Sequence, residues 1–506
     1  MARQFLNTLE EPIVRTKAGK LRGFLLDGIY TFHGIPYADA DRFQPPHAVD
    51  SWDGVKDATN YGYICPVHAN PAPSSELFIP HRFWPANEHC QFLNVWTPGL
   101  DGRKRPVMVW FHGGGFSDGS SIEQVAYEGD ALAAYGDVVV VTVNHRLNIL
   151  GFLDMSSFGE KYANSVNAGM ADIVASLEWV RDNIAAFGGD PDNVTIFGQS
   201  GGGDAVQFQL ISPQTDGLFQ RAIIQSAGGR LLCYPEMPSV LSMGDSMETA
   251  YALSEQLFRM CGVSTLEEAR QLPPDVLLEK YNEMHRPMVP VLDGKFVTGF
   301  PQTEFPKNAL HDVSLMVTAT SDEFMAGCTS PAKEWVRKFF ADGAEAYWKL
   351  VCQAAASDRE EDLRRAADFS TFNVGNRLTA EVLARNGRRV YFSEFGPTIP
   401  GDDAGAFHSC DLWFEFNTLL RCWRPFTGRH FDLARKMCNY FANFARTGDP
   451  NGVDKDGSAM PQWTPYEPLN GKAMQFFDTI QMETETDARM RWLLDQNEKR
   501  LAVQKD

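Results

Sequence analysis

Ser200 stands between two glycines in the run Gly198-Gln199-Ser200-Gly201-Gly202. An apolar stretch, Asn193 to Phe197, precedes it and reads as a buried strand; Gly203 to Ile211 follows and reads as a helix start. A serine so placed sits on a very tight strand-to-helix turn. Side chains beside it would strike the neighbouring strand and helix, and glycine removes those collisions. The turn lifts the hydroxyl clear of the sheet. It also sets the following backbone N–H groups at a helix N-terminus, where they can stabilise an oxyanion. This is equipment for nucleophilic acyl transfer. Taken alone, the pentapeptide also fits an ordinary glycine-rich turn.

A second loop points the same way. Val107-Met108-Val109-Trp110-Phe111 reads as another buried strand and runs into His112-Gly113-Gly114-Gly115-Phe116. Three glycines after a strand let the backbone turn its N–H groups toward a small anion. A phosphate-binding loop would need Lys-Ser or Lys-Thr after its last glycine, and this loop has Phe116-Ser117. No dinucleotide fingerprint occurs. Together the two loops favour acyl transfer over nucleotide binding.

A serine nucleophile needs a base and an acid, in the chain order serine, carboxylate, histidine. The strand-like run Ser314 to Ala319 ends in Thr320-Ser321-Asp322-Glu323, and position alone leaves Asp322 and Glu323 as equal candidates. Of eleven histidines only His408 and His430 lie beyond them. His430 opens an amphipathic helical stretch, Phe431 to Arg446, and reads as a surface or capping residue. His408 follows the strand-like run Arg389 to Phe395 and a Gly/Pro/Asp loop, the place expected of the base.

With these residues in view the chain resembles the type-B carboxylesterase family, the group of the cholinesterases and bacterial para-nitrobenzyl esterases. The resemblance runs nearly end to end. It is carried by Phe32-His33-Gly34-Ile35-Pro36-Tyr37-Ala38, by Cys90 to Pro98, by Asn144-His145-Arg146-Leu147 with Gly151-Phe152-Leu153, and by Trp179 to Pro191 leading into the serine turn. It implies an α/β-hydrolase fold: a large, mostly parallel sheet, helices on both faces and a helical roof. It also implies an ester hydrolase without cofactor or metal. The family's Asp-Glu-Gly motif falls on Glu323 as the acid, and its Ala-x-His-x-x-Glu motif on His408 as the base, with Asp411 at the Glu position. The oxyanion donors fall on the N–H groups of Gly114, Gly115 and Gly201, and a supporting serine on Ser226. Cys65 and Cys90 fall where the family commonly forms a small disulfide loop.

Three positions depart from the common pattern: Gln199 replaces Glu, Gly201 replaces Ala, and Phe324 stands where Gly follows the acid. No catalytic group is lost, so the reaction type carries over and the specificity does not. Gln199 removes a negative charge beside the site. Phe116, Phe324 and Phe407 adjoin catalytic groups in sequence, and Trp413 and Phe416 lie around the base. These five are the aromatic pocket candidates, each against the alternative of core packing. They suggest short-acyl aryl or alkyl esters. The same triad would equally serve an amidase, a carbamate hydrolase or a transesterase. A catalytically inactive adhesion-type relative is the remaining alternative, disfavoured by the intact triad and loop.

The elements that must position these groups are legible too. Strands are expected at 107–111, 138–143, 194–198, 222–225, 314–319 and 389–395, alternating with helices into an α/β sheet covered on both faces. About Leu231 to Asp312 should add helices over the site. Across 506 residues there is no Ser/Gly tract, long charge block or repeat, and the triad spans Ser200 to His408, so residues 1–506 read as one domain. The terminal stretch Glu483 to Gln504 alternates acids and bases and is expected to pack on its own body.

A formal charge of −19 without a basic stripe excludes a nucleic-acid partner. No apolar run is long enough to span a membrane, so the expected partner is a small-molecule ester, with the chain a monomer or homodimer. The N-terminus lacks the apolar core of a signal peptide, and nine cysteines are an odd number. Both favour the cytoplasm, with export open if a leader has been removed.

Overall fold

Strand formation follows from β-branched and aromatic runs that can be buried on both faces. Val139-Val140-Val141-Thr142-Val143 is the clearest case, every residue buried. The computed structural model describes residues 4–67, 82, 84–227, 245–323, 331–367, 371–468, 471–483 and 487–503. Its main sheet comprises β1 (Phe5–Leu6), β2 (Phe24–Leu26), β3 (Ile29–Pro36), β4 (Phe92–Thr97), β5 (Arg105–Phe111), β6 (Val139–Val143), β7 (Gly189–Gln199), β8 (Arg221–Gln225), β9 (Ser314–Thr320), β10 (Val390–Phe395), β11 (Met474–Phe476) and β12 (Ile480–Met482). The strand order is β1-β2-β3-β4-β6-β5-β7-β8-β9-β10-β11-β12. From β6 to β11 all pairings are parallel, while both flanks are antiparallel. A small separate sheet joins Ile13–Arg15, Lys20–Arg22 and Val55–Asp57.

All six expected strands are present. The period-two alternation of each splits between two cores. Val107, Val109, Ile196, Ile224 and Val317 enter one core, and Met108, Trp110, Phe197, Ile223 and Met316 enter the other. The register aligns Phe111 with Gly198, Gln199 with Gln225, Gln225 with Thr318, and Thr320 with Phe395. The carboxyl ends of β5, β7, β8, β9 and β10 therefore share one edge. Ligands of open parallel sheets collect there.

The principal helices that cover the sheet are α1 (Ala168–Asn183), α2 (Gly201–Ile211), α3 (Met247–Cys261), α4 (Leu266–Gln271), α5 (Pro274–Glu283), α6 (Thr371–Arg385), α7 (Leu412–Glu415), α8 (Gly428–Thr447) and α9 (Ala488–Val503). Helices α3 to α5 occupy the stretch expected to roof the site. Tyr281 on α5 brings its hydroxyl 3.0 Å from Ser117 Oγ, beside the glycine loop. Helix α9 packs on its own body, with Trp492 against Phe340 and Tyr347. His430 is a cap, as one of its two readings had it, but it is buried rather than at the surface. Its Nδ1 accepts the Thr427 N–H at 3.0 Å at the start of α8.

Two of the signature segments meet behind the glycine loop. Asp172 on α1 grips Arg146 through both oxygens, at 2.7 and 2.8 Å, and also accepts the Arg146 N–H and the Gln91 amide. Both charges are buried, so the pair needs these extra bonds to offset desolvation. Asn148 then holds the loop: its N–H reaches Phe116 O at 2.7 Å and its side chain reaches Ser117 O.

Cys65 and Cys90, which fall where the family commonly forms a disulfide, lie in contact with each other. Both are buried free thiols in hydrogen-bond contact, and burial pushes Cys90 well above the usual thiol range. Cys65 Sγ is engaged as an acceptor of the Leu147 N–H at 3.3 Å. Among the described residues no helix is long and apolar enough to cross a membrane.

Candidate active site

Ser200 caps α2 with φ +57° and ψ −125°, an unfavourable conformation for a residue with a side chain. Its N–H is tied to Gln225 O at 2.9 Å, and its own carbonyl accepts from Asp204 N, so strand and helix together hold the turn. The glycines have a steric purpose. A Cβ on Gly202 would lie 2.0 Å from Phe111 O, and one on Gly201 would lie 2.5 Å from Gly115 N. The second contact shows that the serine turn and the glycine loop touch. Gly201 is the smaller residue where the family pattern has Ala, and the loop has closed onto it.

In the glycine loop Gly114 and Gly115 take φ +97° and +61°. His112, whose role the sequence reading did not assign, orients them. Its Nδ1–H donates to Gly113 O at 2.8 Å. The N–H of a trans peptide points opposite its carbonyl, so this bond aims the Gly114 N–H away from His112. His112 stacks on His145 at 4.9 Å, and burial lowers both; His112 falls to about 3. The loop therefore stays uncharged throughout the working pH range.

His408 is wholly buried, Glu323 nearly so, and Ser200 retains 8% of its surface. The serine hydroxyl side opens outward while the groups behind it are dry. His408 Nδ1 faces Glu323 Oε2, and the His408 N–H reaches Glu323 O at 2.7 Å. Glu323 Oε1 accepts the Thr320 N–H at 3.1 Å. Asp322 turns away: its Oδ2 accepts from Ser321 Oγ and Ala406 N, tying together the two loops that carry Glu323 and His408. Gln199, buried beside the serine, places its Nε2 3.0 Å from His408 Nε2.

Ser226 follows β8 at φ +46°, with its Oγ buried and, among the described residues, without a hydrogen-bond partner. Asp411 lies buried next to Glu323, and Glu415 behind it accepts from Gln225 Nε2 at 2.5 Å. Burial, with the charge of Glu323, pushes Asp411 up to about 7, and burial pushes Glu415 up well above its usual value. Folded Asp411 thus keeps a proton that the unfolded chain releases near its ordinary 3.8. Between those values the folded state binds the extra proton, and stability falls as pH rises. Asp411→Asn removes the penalty. Its melting temperature should exceed the wild type's by more at pH 8 than at pH 4. One pKa unit is about 1.4 kcal/mol, worth roughly 1 °C in a chain this long. Thermal melts at the two pH values check it, and an equal offset at both would remove the linkage.

The pocket aromatics need correction. Phe407, Trp413 and Phe416 are fully buried in the core shared with Trp110 and Phe197. Phe407 meets Trp413 and the Arg424 guanidinium, and Phe416 meets Trp110 and Phe197. The loop and short α7 that follow His408 turn Trp413 and Phe416 into the sheet. Phe116 packs on Phe152 and Phe208 in the other core. Phe324 lies outside the described residues. Among the described residues, an aromatic ring that does meet His408 is Phe372, 5.2 Å from its ring and partly exposed. It arrives from the first turn of α6, 36 residues upstream, and no local signal marks it.

The sequence model of the carboxylesterase family matches residues 10–492. The chain belongs to the carboxylesterase family. Among curated relatives, the para-nitrobenzyl esterase of Bacillus subtilis (strain 168) is 37% identical over 494 residues, covering 95% of this chain and 97% of that protein. The phenmedipham hydrolase of Pseudarthrobacter oxydans is 31% identical, covering 90% and 93%. Among solved structures, an esterase from anaerobic Clostridium hathewayi, described as able to hydrolyse aliphatic aromatic polyesters, superposes with a TM-score of 0.81. It is 37% identical, covering 98% of this chain and all of that one. A carboxylesterase of Geobacillus stearothermophilus superposes with a TM-score of 0.78 at 34% identity, covering 96% and 100%. The fold is the α/β-hydrolase fold of these carboxylesterases, and the protein is a carboxylic-ester hydrolase.

Proposed function

We propose that this carboxylesterase hydrolyses small neutral esters, with aryl or short alkyl groups, through an acyl-enzyme on Ser200. The observation that carries the assignment is the buried pair Glu323–His408, in which the outer ring nitrogen of His408 lies 3.0 Å from the side chain of Gln199, the residue before Ser200. His408 takes the serine proton as Oγ attacks the ester carbonyl. Glu323 keeps the imidazole proton on Nδ1 and stabilises the imidazolium. The N–H groups of Gly114, Gly115 and Gly201 receive the developing oxyanion. The alcohol leaves with the proton from His408, and water hydrolyses the acyl-enzyme by the reverse path. Ser226 and Asp411 support the base from behind.

The names of the relatives, a para-nitrobenzyl esterase and a phenmedipham hydrolase, support aryl substrates. So does the Phe372 ring beside His408. Neutral Gln199 in place of a carboxylate disfavours a cation. The ratio of kcat/KM for a neutral aryl or alkyl ester to that for its matched choline ester, at low salt, tests the preference and should exceed one. A tenfold preference for the cation, about 1.4 kcal/mol, would show that the overall charge of −19 outweighs the lost carboxylate.

One domain accounts for a site assembled from β5, β7, β9 and the segment after β10. A monomer or homodimer fits an α9 packed on its own body. The reduced Cys65 and Cys90 pair favours the cytoplasm.

A further inference from the structure

Asn148 is fully buried and takes φ +48°, where glycine is the unstrained residue and asparagine one of the few others tolerated. Its side chain is engaged at both ends. Nδ2 donates to Pro66 O at 2.9 Å and to Ser117 O at 3.2 Å, and Oδ1 accepts the Leu150 N–H at 3.2 Å. Two carbonyls facing one end and an N–H facing the other admit a single orientation of the amide. The backbone N–H of Asn148 adds the bond to Phe116 O at 2.7 Å. Asn148 thus grips both peptides that flank Ser117.

The grip passes along the loop one peptide at a time. In a trans peptide the N–H points opposite the carbonyl. Holding Phe116 O turns the Ser117 N–H the other way, and holding Ser117 O does the same for the Asp118 N–H. Both N–H groups converge on Gly114 O, each at 3.1 Å. Gly114 O belongs to the peptide that carries the Gly115 N–H, so that N–H is aimed away from them. Gly115 N lies against the serine turn, 2.5 Å from where a Cβ on Gly201 would stand.

We propose that Asn148 is a positioning residue whose amide aims the Gly115 N–H at the oxyanion that forms on the substrate. His112 does the same for the Gly114 N–H through Gly113 O. The two side chains thus divide the loop, one donor peptide each. The roof does not replace Asn148. Tyr281 meets Ser117 at Oγ, which turns about its own bond without moving the peptide. The Pro66 contact braces the same amide against the chain beside Cys65. A donor fixed before the reaction needs no reorganisation as charge develops. The amide therefore acts on kcat rather than on KM.

The test compares wild type with Asn148→Gly on one neutral aryl ester. Glycine suits φ +48° and keeps the N–H bond to Phe116 O, so the variant loses only the amide. kcat should fall about tenfold or more, part of the roughly hundredfold or greater loss that removal of a whole donor causes, with KM changed by less than about threefold. An aryl trifluoromethyl ketone gives the second readout. Ser200 Oγ adds to its carbonyl, the serine proton passes to His408, and the ketone oxygen becomes the oxyanion. Its Ki should rise by the factor by which kcat/KM falls. The acid limb of the pH profile should stay in place, because His408 is untouched. A raised KM with kcat intact, or a lowered kcat with Ki unchanged, would overturn the proposal. So would wild-type kcat in folded Asn148→Gly. If the glycine variant does not fold, Asn148→Asp decides. It keeps the acceptor for Leu150 and loses both donors, so its kcat should fall too, and a wild-type value would count against Asn148. The proposal rests on the Gly115 N–H being an oxyanion donor. In wild type labelled with ¹⁵N-glycine the ketone should move the Gly115 amide proton downfield. An unmoved resonance removes that reading itself, whereas a moved one with unaltered kcat and Ki in Asn148→Gly removes the role of Asn148 alone.

Discussion

Ser200→Ala is expected to lower kcat by at least about a thousandfold while leaving the fold and melting temperature nearly unchanged. The size of the loss follows from the arrangement. Without Oγ no acyl-enzyme forms, and only the oriented N–H groups and substrate binding remain to accelerate attack by water. Stability should hold because the turn is fixed through the backbone. The Ser200 N–H to Gln225 O and the Asp204 N–H to Ser200 O survive the change, and alanine has the same Cβ in the same strained conformation. A fluorophosphonate should label Ser200 and no other serine. The demanding control is Ser226. It follows the adjacent strand, also has positive φ, and carries a buried hydroxyl without a partner among the described residues. Peptide mapping that placed the label on Ser226, or activity persisting in Ser200→Ala, would overturn the assignment of the nucleophile.

How much of this was legible in the sequence depended on whether the signal was local. The Ser200 turn and the His112 loop are coded by contiguous glycines that only tight backbone approach requires. The central strands are contiguous β-branched runs, and the structure places both features as expected. The lining of the pocket was not legible in this way. Adjacency in sequence to a catalytic residue fixes where a Cα lies and not where its side chain points. After His408 the chain turns into α7 and sends Trp413 and Phe416 down into the core, where Phe407, the residue before His408, also lies. Phe372 reaches His408 from a helix that begins far upstream, so only the folded chain brings the two rings together. The role of His112 was hidden for a related reason. A side chain that orients a peptide acts through one hydrogen bond, and its partner Gly113 O is visible only in three dimensions.

The two neighbouring carboxylates after β9 are best separated by their amides. Glu323→Gln should cut kcat by about a thousandfold or more, on the scale known for converting a triad carboxylate to its amide. Both oxygens of Glu323 now accept, one from Thr320 N–H and the other from His408 Nδ1–H. An amide accepts through one oxygen only. Glutamine would either set its NH₂ against the Thr320 N–H or turn it toward the imidazole. The second choice places the His408 proton on Nε2, where it blocks the lone pair that Ser200 needs. Neither choice supplies the charge that stabilises the imidazolium. Asp322 differs in just this respect. Both of its donors, Ser321 Oγ at 2.8 Å and Ala406 N at 2.9 Å, converge on a single oxygen, Oδ2. Asparagine with its carbonyl in that place keeps both bonds, so Asp322→Asn should cost less than about tenfold. His408→Ala should match the loss in Ser200→Ala, because the two residues act as one unit and their effects are not additive. The check is kcat for the three variants on one neutral aryl ester, with circular dichroism to verify folding. If Asp322→Asn proves more damaging than Glu323→Gln, the acid of the triad is Asp322, and the buried contact between Glu323 and His408 is structural.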